Sequence, residues 1–329
     1  MNALLRRLFA ARSPAGTGAR LSTLIFHRVH RQTDPLFPDE VDAARFDRMC
    51  GWLAAWFHVL RFDEAVHRLR AGTLPERALA ITFDDGYADN HEVALPILSR
   101  HGLPATFFVT TDYLGGGVMW NDRITEAIRR TDQADLDPAS LGIAGLRRLG
   151  IADLPQRRFA LQALISAVKY LESDARMAAV EKIEHACGGN PPGPLMMQPE
   201  QVVALNRAGM LIGAHTKSHP ILARLDIEQA GEEIAGSRRV LEELLGVPVR
   251  TFAYPNGRPN EDYGPEAVGL VAEAGFEAAC TTARGTADAS TSPLEIPRFT
   301  PWDRSRLRFG LRLARHARDT ATPVVPVTA

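Results

Sequence analysis

The sequence predicts an α/β protein built on a parallel sheet, and three observations support that prediction. Short apolar runs rich in β-branched and aromatic residues recur along the chain. Segments with apolar residues at helical spacing lie between those runs, so strand and helix alternate. Of the 329 residues, 45% are hydrophobic and 23% are charged, which is ordinary for a globular protein and excludes a mostly disordered chain, a collagen and a coiled-coil rod.

The first predicted elements form a βαβ unit. Leu21–His27 is a short apolar run that predicts a buried strand, and the spacing of Phe46, Met49 and Leu53 predicts a helix. The predicted elements of this part are a strand at 21–27, a helix at 43–58, a strand at 78–83, a helix at 91–101 and a strand at 104–110. Strands that are joined through helices imply parallel pairing.

The pattern changes at about residue 120. Residues 121–190 contain helix-like segments with little strand character, and we interpret them as a helical insertion in the α/β domain, not a separately folding unit. Alternation then resumes, with helices predicted at 200–208, 227–245, 266–274 and from 301 onward, and strands at 210–214, 250–254 and 278–282. Repeated units over this length suggest a barrel or a doubly wound sheet.

The charge balance and the cysteines exclude several classes of protein. Lysine and arginine total 38 against 39 acidic residues, so the formal net charge is -1 and no overall basic field indicates a nucleic-acid partner. Three widely spaced cysteines give neither a disulfide framework nor a cysteine-based zinc motif, which fits a reducing compartment.

The N-terminal segment bears on localisation. No apolar run has the length of a membrane span, and residues 1–12 lack the apolar core of a signal peptide. Leucines beside arginines in this segment predict either a frayed N-terminal helix or a helix that lies on a membrane surface. We therefore expect a cytoplasmic protein without a transmembrane segment, with peripheral contact at the inner face of the membrane as the alternative.

Two adjacent carboxylates, Asp84 and Asp85, follow the predicted strand at 78–83. The carboxyl ends of strands are where parallel α/β folds gather their active sites. Neighbouring carboxylates repel unless a cation or a proton separates them. Since a strand points successive side chains to opposite sides, a turn at Gly86 is needed to bring both carboxylates to one site. The alternative is a turn with an Asx cap onto the next helix.

Two histidines at i,i+4 spacing, His215 and His219, follow the predicted strand at 210–214. That spacing puts both imidazoles on one face of a helical turn, which suits a single metal ion. The motif contains no glutamate, which disfavours an HExxH metalloprotease. With Asp84 or Asp85 the histidines would form a His₂-carboxylate site of the catalytic zinc type and leave the other carboxylate free to act as a base.

A third motif, Phe252–Gly257, also ends a predicted strand, and its Pro-x-Gly turn either presents a backbone N–H to a substrate or is an ordinary turn. In order and spacing, the three motifs resemble those of the polysaccharide deacetylases, the NodB-homology or carbohydrate esterase family four domain. The resemblance implies a distorted (β/α)₇ barrel with the helical insertion at about 121–190. The expected division is an N-terminal extension at 1–20, the barrel at 21–305, and a C-terminal helix with a disordered tail at 306–329.

The resemblance also implies an activity and the roles of the motif residues. Asp84 corresponds to the general base, and Asp85, His215 and His219 correspond to the metal ligands. The implied enzyme is a metal-dependent hydrolase that removes the N-acetyl group from an amino sugar in a polysaccharide, oligosaccharide or lipid-linked glycan. The expected cofactor is a divalent ion, zinc first, with Co²⁺, Ni²⁺ and Mn²⁺ as alternatives. The expected partner is an N-acetylated glycan.

Two further functions are compatible with the same site. One is a deformylase or a cyclic-amide hydrolase on the same barrel. The other is a non-catalytic carbohydrate-binding relic, whose mark would be the loss of a metal ligand or of the base, and the sequence has lost neither.

The third motif departs from the family pattern. Many members carry an arginine there that holds the base, and this chain has Ala253. Arg298 is the candidate substitute, and a surface arginine is the alternative interpretation. The tyrosine whose backbone N–H helps to form the oxyanion hole corresponds to Asn256. Tyr254, in the same motif, is a further candidate for substrate contact.

The family's general acid is a histidine in an LxxH motif, and two histidines match. His27 ends an apolar strand, where the barrel places catalytic groups, whereas His316 belongs to an arginine-rich C-terminal helix that we expect to be exposed. We therefore favour His27, and a core histidine without a catalytic role remains the alternative.

Trp120 is a further candidate for substrate contact. It follows a predicted strand and a glycine-rich loop. A sugar can stack on its ring, or the ring can pack beside a helix cap at Asn121 or Asp122.

Overall fold

The computed structural model describes residues 2–189, 193–317 and 319. These residues form two compact units. The second unit comprises Thr33–Glu40 and Gly116–Leu195, and the first comprises the rest of the described chain. The tail that we predict to be disordered, after Asp319, lies outside the described residues.

Short strands and helices alternate along the described chain. The strands are β1 (Ser22–Phe26), β2 (His58–Leu60), β3 (Ala78–Phe83), β4 (Thr106–Val109), β5 (Asp135–Leu136), β6 (Leu149–Gly150), β7 (Leu211–Ala214), β8 (Thr251–Ala253) and β9 (Ala278–Cys280). The helices are α1 (Asn2–Arg12), α2 (Ala43–Trp56), α3 (Phe62–Arg70), α4 (Leu95–Arg100), α5 (Trp120–Arg130), α6 (Leu154–Val168), α7 (Ser173–Ala186), α8 (Pro199–Arg207), α9 (Ile227–Leu245), α10 (Pro265–Glu273) and α11 (Arg306–His316).

One parallel sheet organises the first unit. Its order is β1-β3-β4-β7-β8-β9, and β2 pairs with the first residues of β3. All residues of β1 and β3 are buried, as expected for strands of a parallel sheet that is covered on both faces. That burial explains why both strands are continuous apolar runs in the sequence.

The two edges of this sheet are joined by the segment at 296–299. Ile296 bridges to Cys280 of β9, and Phe299 bridges to Leu24 of β1. Backbone hydrogen bonds on both sides secure the segment: Ile296 donates to Ala279 of β9 and accepts from Thr281 just after it, and Phe299 exchanges hydrogen bonds with β1. The sheet therefore curls into the distorted barrel that the resemblance implies, and the predicted fold class is confirmed.

Local sequence signals account for the helices. Asp226 accepts a hydrogen bond from the backbone of Gln229, whose side chain caps the Asp226 N–H in return, and this capping box begins α9. Gly246, in the left-handed conformation, ends α9. The helix has the bounds that its sequence pattern predicts.

Three elements of the first unit depart from the sequence-based expectations. β2 and α3 were not predicted, although Phe62, Val66 and Leu69 of α3 are buried at helical spacing. The helix α1 is not frayed, because its Leu5 and Phe9 are only 3% and 2% exposed in the main hydrophobic cluster.

The second unit has its own apolar cluster. α5, α6 and α7 surround buried residues such as Ile128, Leu164 and Ile183, and a two-stranded antiparallel pair, β5–β6, accompanies them. Asp34 accepts two hydrogen bonds from Arg129, which ties the segment 33–40 to α5. The helices agree with those predicted for 121–190. Among the described helices of both units, none is long and apolar enough to cross a membrane.

Candidate active site

The chemistry-bearing motifs meet at one edge of the barrel. Asp84 and Asp85 follow β3, His215 and His219 follow β7, and Arg298 lies in the segment that joins β9 to β1. Because these strands are parallel, their carboxyl ends face the same side of the barrel. Residues far apart in sequence are thereby brought together.

The turn after β3 brings both carboxylates to one place. Asp85 has a φ of 77° and Gly86 a φ of 91°, so the chain reverses its pleat immediately after Asp84. A left-handed conformation at a non-glycine residue is strained and is typical of functional sites. Glycine is required at position 86, since an added Cβ would lie 3.1 Å from the Val109 side chain.

The histidine motif is a loop, and the expectation of a helical turn is wrong. Thr216 and His219 have φ values of 64° and 57°, which a right-handed helix excludes. The loop nevertheless brings both imidazoles to Asp85. The Nε2 atoms of His215 and His219 each lie 3.4 Å from Asp85 Oδ1, and the two rings are 4.9 Å apart.

Hydrogen bonds from outside the motif hold this loop. The Glu233 carboxylate of α9 accepts from the backbone N–H groups of Lys217 and Ser218, at 2.8 and 2.9 Å, and from the Ser218 hydroxyl at 2.6 Å. The Thr216 hydroxyl accepts from the His219 N–H. Sequence reasoning missed Glu233, and the only available signal was an acidic residue near the N-terminus of the helix that follows the motif.

The donor set of Asp85, His215 and His219 fits a divalent metal ion. Their ligand atoms lie within 4.8 Å of one another. The Nδ1–H of His215 donates to the Ala253 carbonyl oxygen at 2.6 Å, which leaves Nε2 with a free lone pair toward Asp85. Two imidazole nitrogens and one carboxylate are the ligand types of a catalytic zinc site with open positions.

Electrostatics at the ligands supports this assignment. Burial lowers the pKa of His219 to about 4 although Asp85 opposes the shift, so His219 is neutral at pH 7. Burial would raise the pKa of Asp85, but the imidazoles of His215 and His219 beside it hold that pKa well below its usual range. Burial would lower the pKa of His215, but Asp84 and Asp85 raise it. Two ionised carboxylates this close together repel each other, so a positive charge beside them stabilises the pair.

Asp84 is held by Arg298 instead of by the histidines. The two guanidinium nitrogens of Arg298 donate to the two carboxylate oxygens of Asp84, both at 2.7 Å. Both residues are 2% exposed. Burial alone would raise the pKa of Asp84, but the charges of Arg298 and His215 lower it below its ordinary value. Arg298 is also anchored to the Thr281 carbonyl and the Thr82 hydroxyl, so the surface interpretation of this arginine is wrong.

The two LxxH histidines lie in different environments. His27 is exposed directly after β1, and its ring lies close enough to Asp84, Asp85 and His219 to contribute to their electrostatic surroundings. His316 is buried against the Phe299 ring, with centroids 4.7 Å apart, which contradicts the expected exposure of that residue.

In the third motif, Asn256 and Tyr254, the two candidates for substrate contact, lie in different environments. Asn256 has a φ of 58° and is half-buried, and within the described residues its backbone N–H donates to no protein acceptor. Tyr254 is 0% exposed, its ring stacks on Tyr263 at 3.9 Å, and its N–H donates to the Cys280 carbonyl. The expectation that Tyr254 contacts the substrate is therefore wrong, because the core already uses both its ring and its N–H.

Trp120 belongs to the second unit and begins α5. It is half-buried beside the apolar cluster of that unit, and the Arg176 guanidinium lies 5.3 Å from the ring centroid. These contacts agree with a packing role, and sugar stacking stays a prediction.

Comparisons with known proteins agree with this geometry. The curated protein YxkH of Bacillus subtilis (strain 168), named "Putative polysaccharide deacetylase YxkH", is 21% identical over 271 residues, which cover 82% of this chain and 67% of that protein. The structure of the Streptococcus pyogenes deacetylase PplD in complex with acetate has a TM-score of 0.57 and 19% identity, and the match covers 86% of this chain and 92% of that chain.

A second solved structure has the same degree of likeness. IcaB from Ammonifex degensii has a TM-score of 0.57 and 18% identity, over 93% of this chain and 98% of that chain. These structures show that the fold is shared. The sequence profile of the family described as polysaccharide deacetylase matches residues 71–137 and 167–279, which make up more than half of the sequence. The resemblance seen in the motifs is thereby confirmed: the chain belongs to the polysaccharide deacetylase family.

Proposed function

We propose that this protein is a metal-dependent N-deacetylase that acts on an amino sugar in a polysaccharide, an oligosaccharide or a lipid-linked glycan. One observation carries the proposal: the adjacent carboxylates have different partners. Asp84 is paired with Arg298, and Asp85 lies between His215 and His219. This division supplies an ionised base beside a three-residue metal site.

The metal site would be formed by Asp85, His215 and His219. A divalent ion bound there, preferably zinc, supplies Lewis-acid polarisation of the acetamide carbonyl. Co²⁺, Ni²⁺ and Mn²⁺ fit the same ligands, because nitrogen and oxygen donors of this kind accept several divalent ions.

The remaining residues move protons and hold the substrate. Asp84 takes a proton from the attacking water, and Arg298 keeps the Asp84 carboxylate ionised and fixed in orientation. The unpaired N–H of Asn256 donates to the carbonyl oxygen as negative charge develops there, an interaction typically worth about 3 kcal/mol. His27 donates a proton to the departing nitrogen while the C–N bond breaks. The products are acetate and a free amino sugar.

The test measures metal content together with acetate release from N-acetylglucosamine oligomers, with and without a chelator. We expect one metal ion per chain and acetate release that the chelator abolishes. Asp84→Asn should retain the metal and lose turnover, because the amide cannot accept the proton. Full activity of that variant would refute the assigned base. Formate from formylated substrates, without acetate, would favour the deformylase. Failure to bind metal after reconstitution would overturn the ligand assignment and favour a carbohydrate-binding relic.

A further inference from the structure

The helices α1 and α11 lie side by side on the first unit. Leu5 of α1 packs so closely on Gly310 of α11 that an added Cβ there would lie 3.0 Å from the leucine side chain. Arg12, at the end of α1, donates a hydrogen bond to the Ala314 carbonyl of α11. Leu5 precedes Arg12 on α1 as Gly310 precedes Ala314 on α11, so the helices run in the same direction. We call their outward surface the α1–α11 face.

Large apolar side chains are exposed on the α1–α11 face. Leu4 is 72% exposed, Leu307 is 53% exposed and Leu311 is 52% exposed. Leu307 and Leu311 are one helical turn apart, so their side chains lie on the same side of α11. Trp302, directly before α11, is 54% exposed.

The same face is strongly basic. α1 contains three arginines, α11 contains four, and neither helix contains an acidic residue. Arg6, Arg7, Arg308 and Arg315 are exposed. Asp303, just before α11, is paired with Arg312 at 2.6 Å and so does not cancel the field of the exposed arginines. Because the whole chain has a net charge of -1, this positive charge is a local feature.

We propose that the α1–α11 face docks on a membrane surface that contains anionic lipids. Arginines attract the lipid headgroups, and leucines and a tryptophan enter the boundary between headgroups and acyl chains, as in amphipathic helices that lie on membranes. Exposed leucines have no comparable partner on a nucleic acid, where phosphate contacts dominate. The inference goes beyond deacetylation, and it holds whatever bond the enzyme hydrolyses.

The test is cosedimentation of the full chain with vesicles. Binding is expected to vesicles of equal parts phosphatidylcholine and phosphatidylglycerol, to weaken at high salt, and to be far weaker with phosphatidylcholine alone. The double variant Arg308→Glu/Arg315→Glu should bind at least about twentyfold more weakly, at about fivefold per arginine. Leu307→Ser/Leu311→Ser should lose about tenfold or more, because buried leucine surface is lost.

Matched variants away from this face control for net charge and for apolar content. Arg70→Glu/Arg207→Glu reverses two exposed arginines of α3 and α8, and Val240→Ser/Val247→Ser removes two exposed valines. Both controls should bind anionic vesicles as the parent does. Equal losses in the controls, or no sedimentation of the parent, would overturn the proposal. Concentration-dependent dimers without lipid that Leu307→Ser/Leu311→Ser abolishes would assign the face to a second copy instead.

Discussion

Arg298 and Asp84 form a buried ion pair whose geometry explains why an arginine is needed. Each oxygen of the carboxylate receives its own N–H, and the arginine is anchored on the backbone of Thr281. A lysine cannot make two parallel hydrogen bonds to a carboxylate. The loss of the arginine would leave a buried charge without its partner, which is far more costly than the loss of a surface ion pair.

We predict that Arg298→Lys lowers kcat at least about tenfold, because Asp84 loses its fixed orientation. Metal content should be unchanged, since in the described structure Arg298 donates no hydrogen bond to any of the three proposed ligands. The measurement is kcat and bound metal for the variant and the parent. Arg284→Lys, a substitution at an exposed arginine between β9 and this segment, is the control. Loss of metal together with activity would contradict a role through Asp84 alone.

The sequence identified Arg298 as a candidate but could not predict its contact with Asp84. The missing arginine at Ala253 made a substitute necessary, and the position of Arg298 after the last strand made it a candidate. The contact with Asp84 spans 214 positions of the chain and depends on ring closure of the barrel. A local sequence pattern cannot predict a contact between residues so far apart in the chain.

The helix α9 holds the histidine loop through Glu233. Three hydrogen bonds to one carboxylate stabilise a loop with two left-handed residues that would otherwise be strained. The neighbouring Glu232 instead pairs with the half-buried Lys217 side chain at 3.2 Å. Glu233 therefore accepts hydrogen bonds from the backbone of the histidine loop, whereas Glu232 pairs with a side chain of that loop.

We predict that Glu233→Gln weakens metal binding by about 10- to 100-fold, the range typical of residues that orient metal ligands. A glutamine offers one acceptor oxygen where the loop needs two. Competition with a chromophoric chelator measures the dissociation constant for zinc, and Glu232→Gln is the matched control. If both variants bound zinc as the parent does, the loop would be ordered without α9.

Secondary structure was predicted correctly where the sequence pattern is long and depends only on residues close together in the chain. α9 shows its own capping box, periodicity and terminal glycine, and its predicted bounds match those observed. The i,i+4 spacing of His215 and His219 was local too, but it specifies only a separation along the chain. Contacts with Glu233 and with the backbone after β4 decide the loop conformation, and those contacts are tertiary. β2, three residues long, is too short to show a period.

The stability of the whole molecule should depend on the protonation of His316. Burial lowers the pKa of this residue to about 4 although Asp319 opposes the shift, and within the described residues Nε2 has no hydrogen-bond partner. The folded state therefore keeps His316 neutral, while the unfolded chain takes up a proton near the ordinary pKa of 6.5. Stability is lost as pH falls from about 6.5 to about 4, because the unfolded state binds more protons there.

We predict that His316 contributes a loss of about 2 kcal/mol in the free energy of unfolding between pH 7 and pH 5. Urea denaturation of the parent and of His316→Leu at both pH values is the measurement. The leucine variant should lose less stability on acidification by about that amount, because it cannot titrate. His185→Leu, on α7, is a control histidine. Identical losses in the parent and His316→Leu would show that His316 does not cause the loss of stability between pH 7 and pH 5.

Closure of the barrel by residues 296–299 has a consequence for the order in which the enzyme becomes competent during synthesis. Asp84, Asp85, His215 and His219 all leave the ribosome before the segment that carries Arg298. Until that segment docks between β9 and β1, Asp84 lacks its counter-ion and the sheet has two unpaired edges. A nascent chain can thus contain all three proposed metal ligands before Asp84 has gained its partner. The Asp84–Arg298 pair and the closed barrel therefore form in the same step, once residues 296–299 have been synthesised.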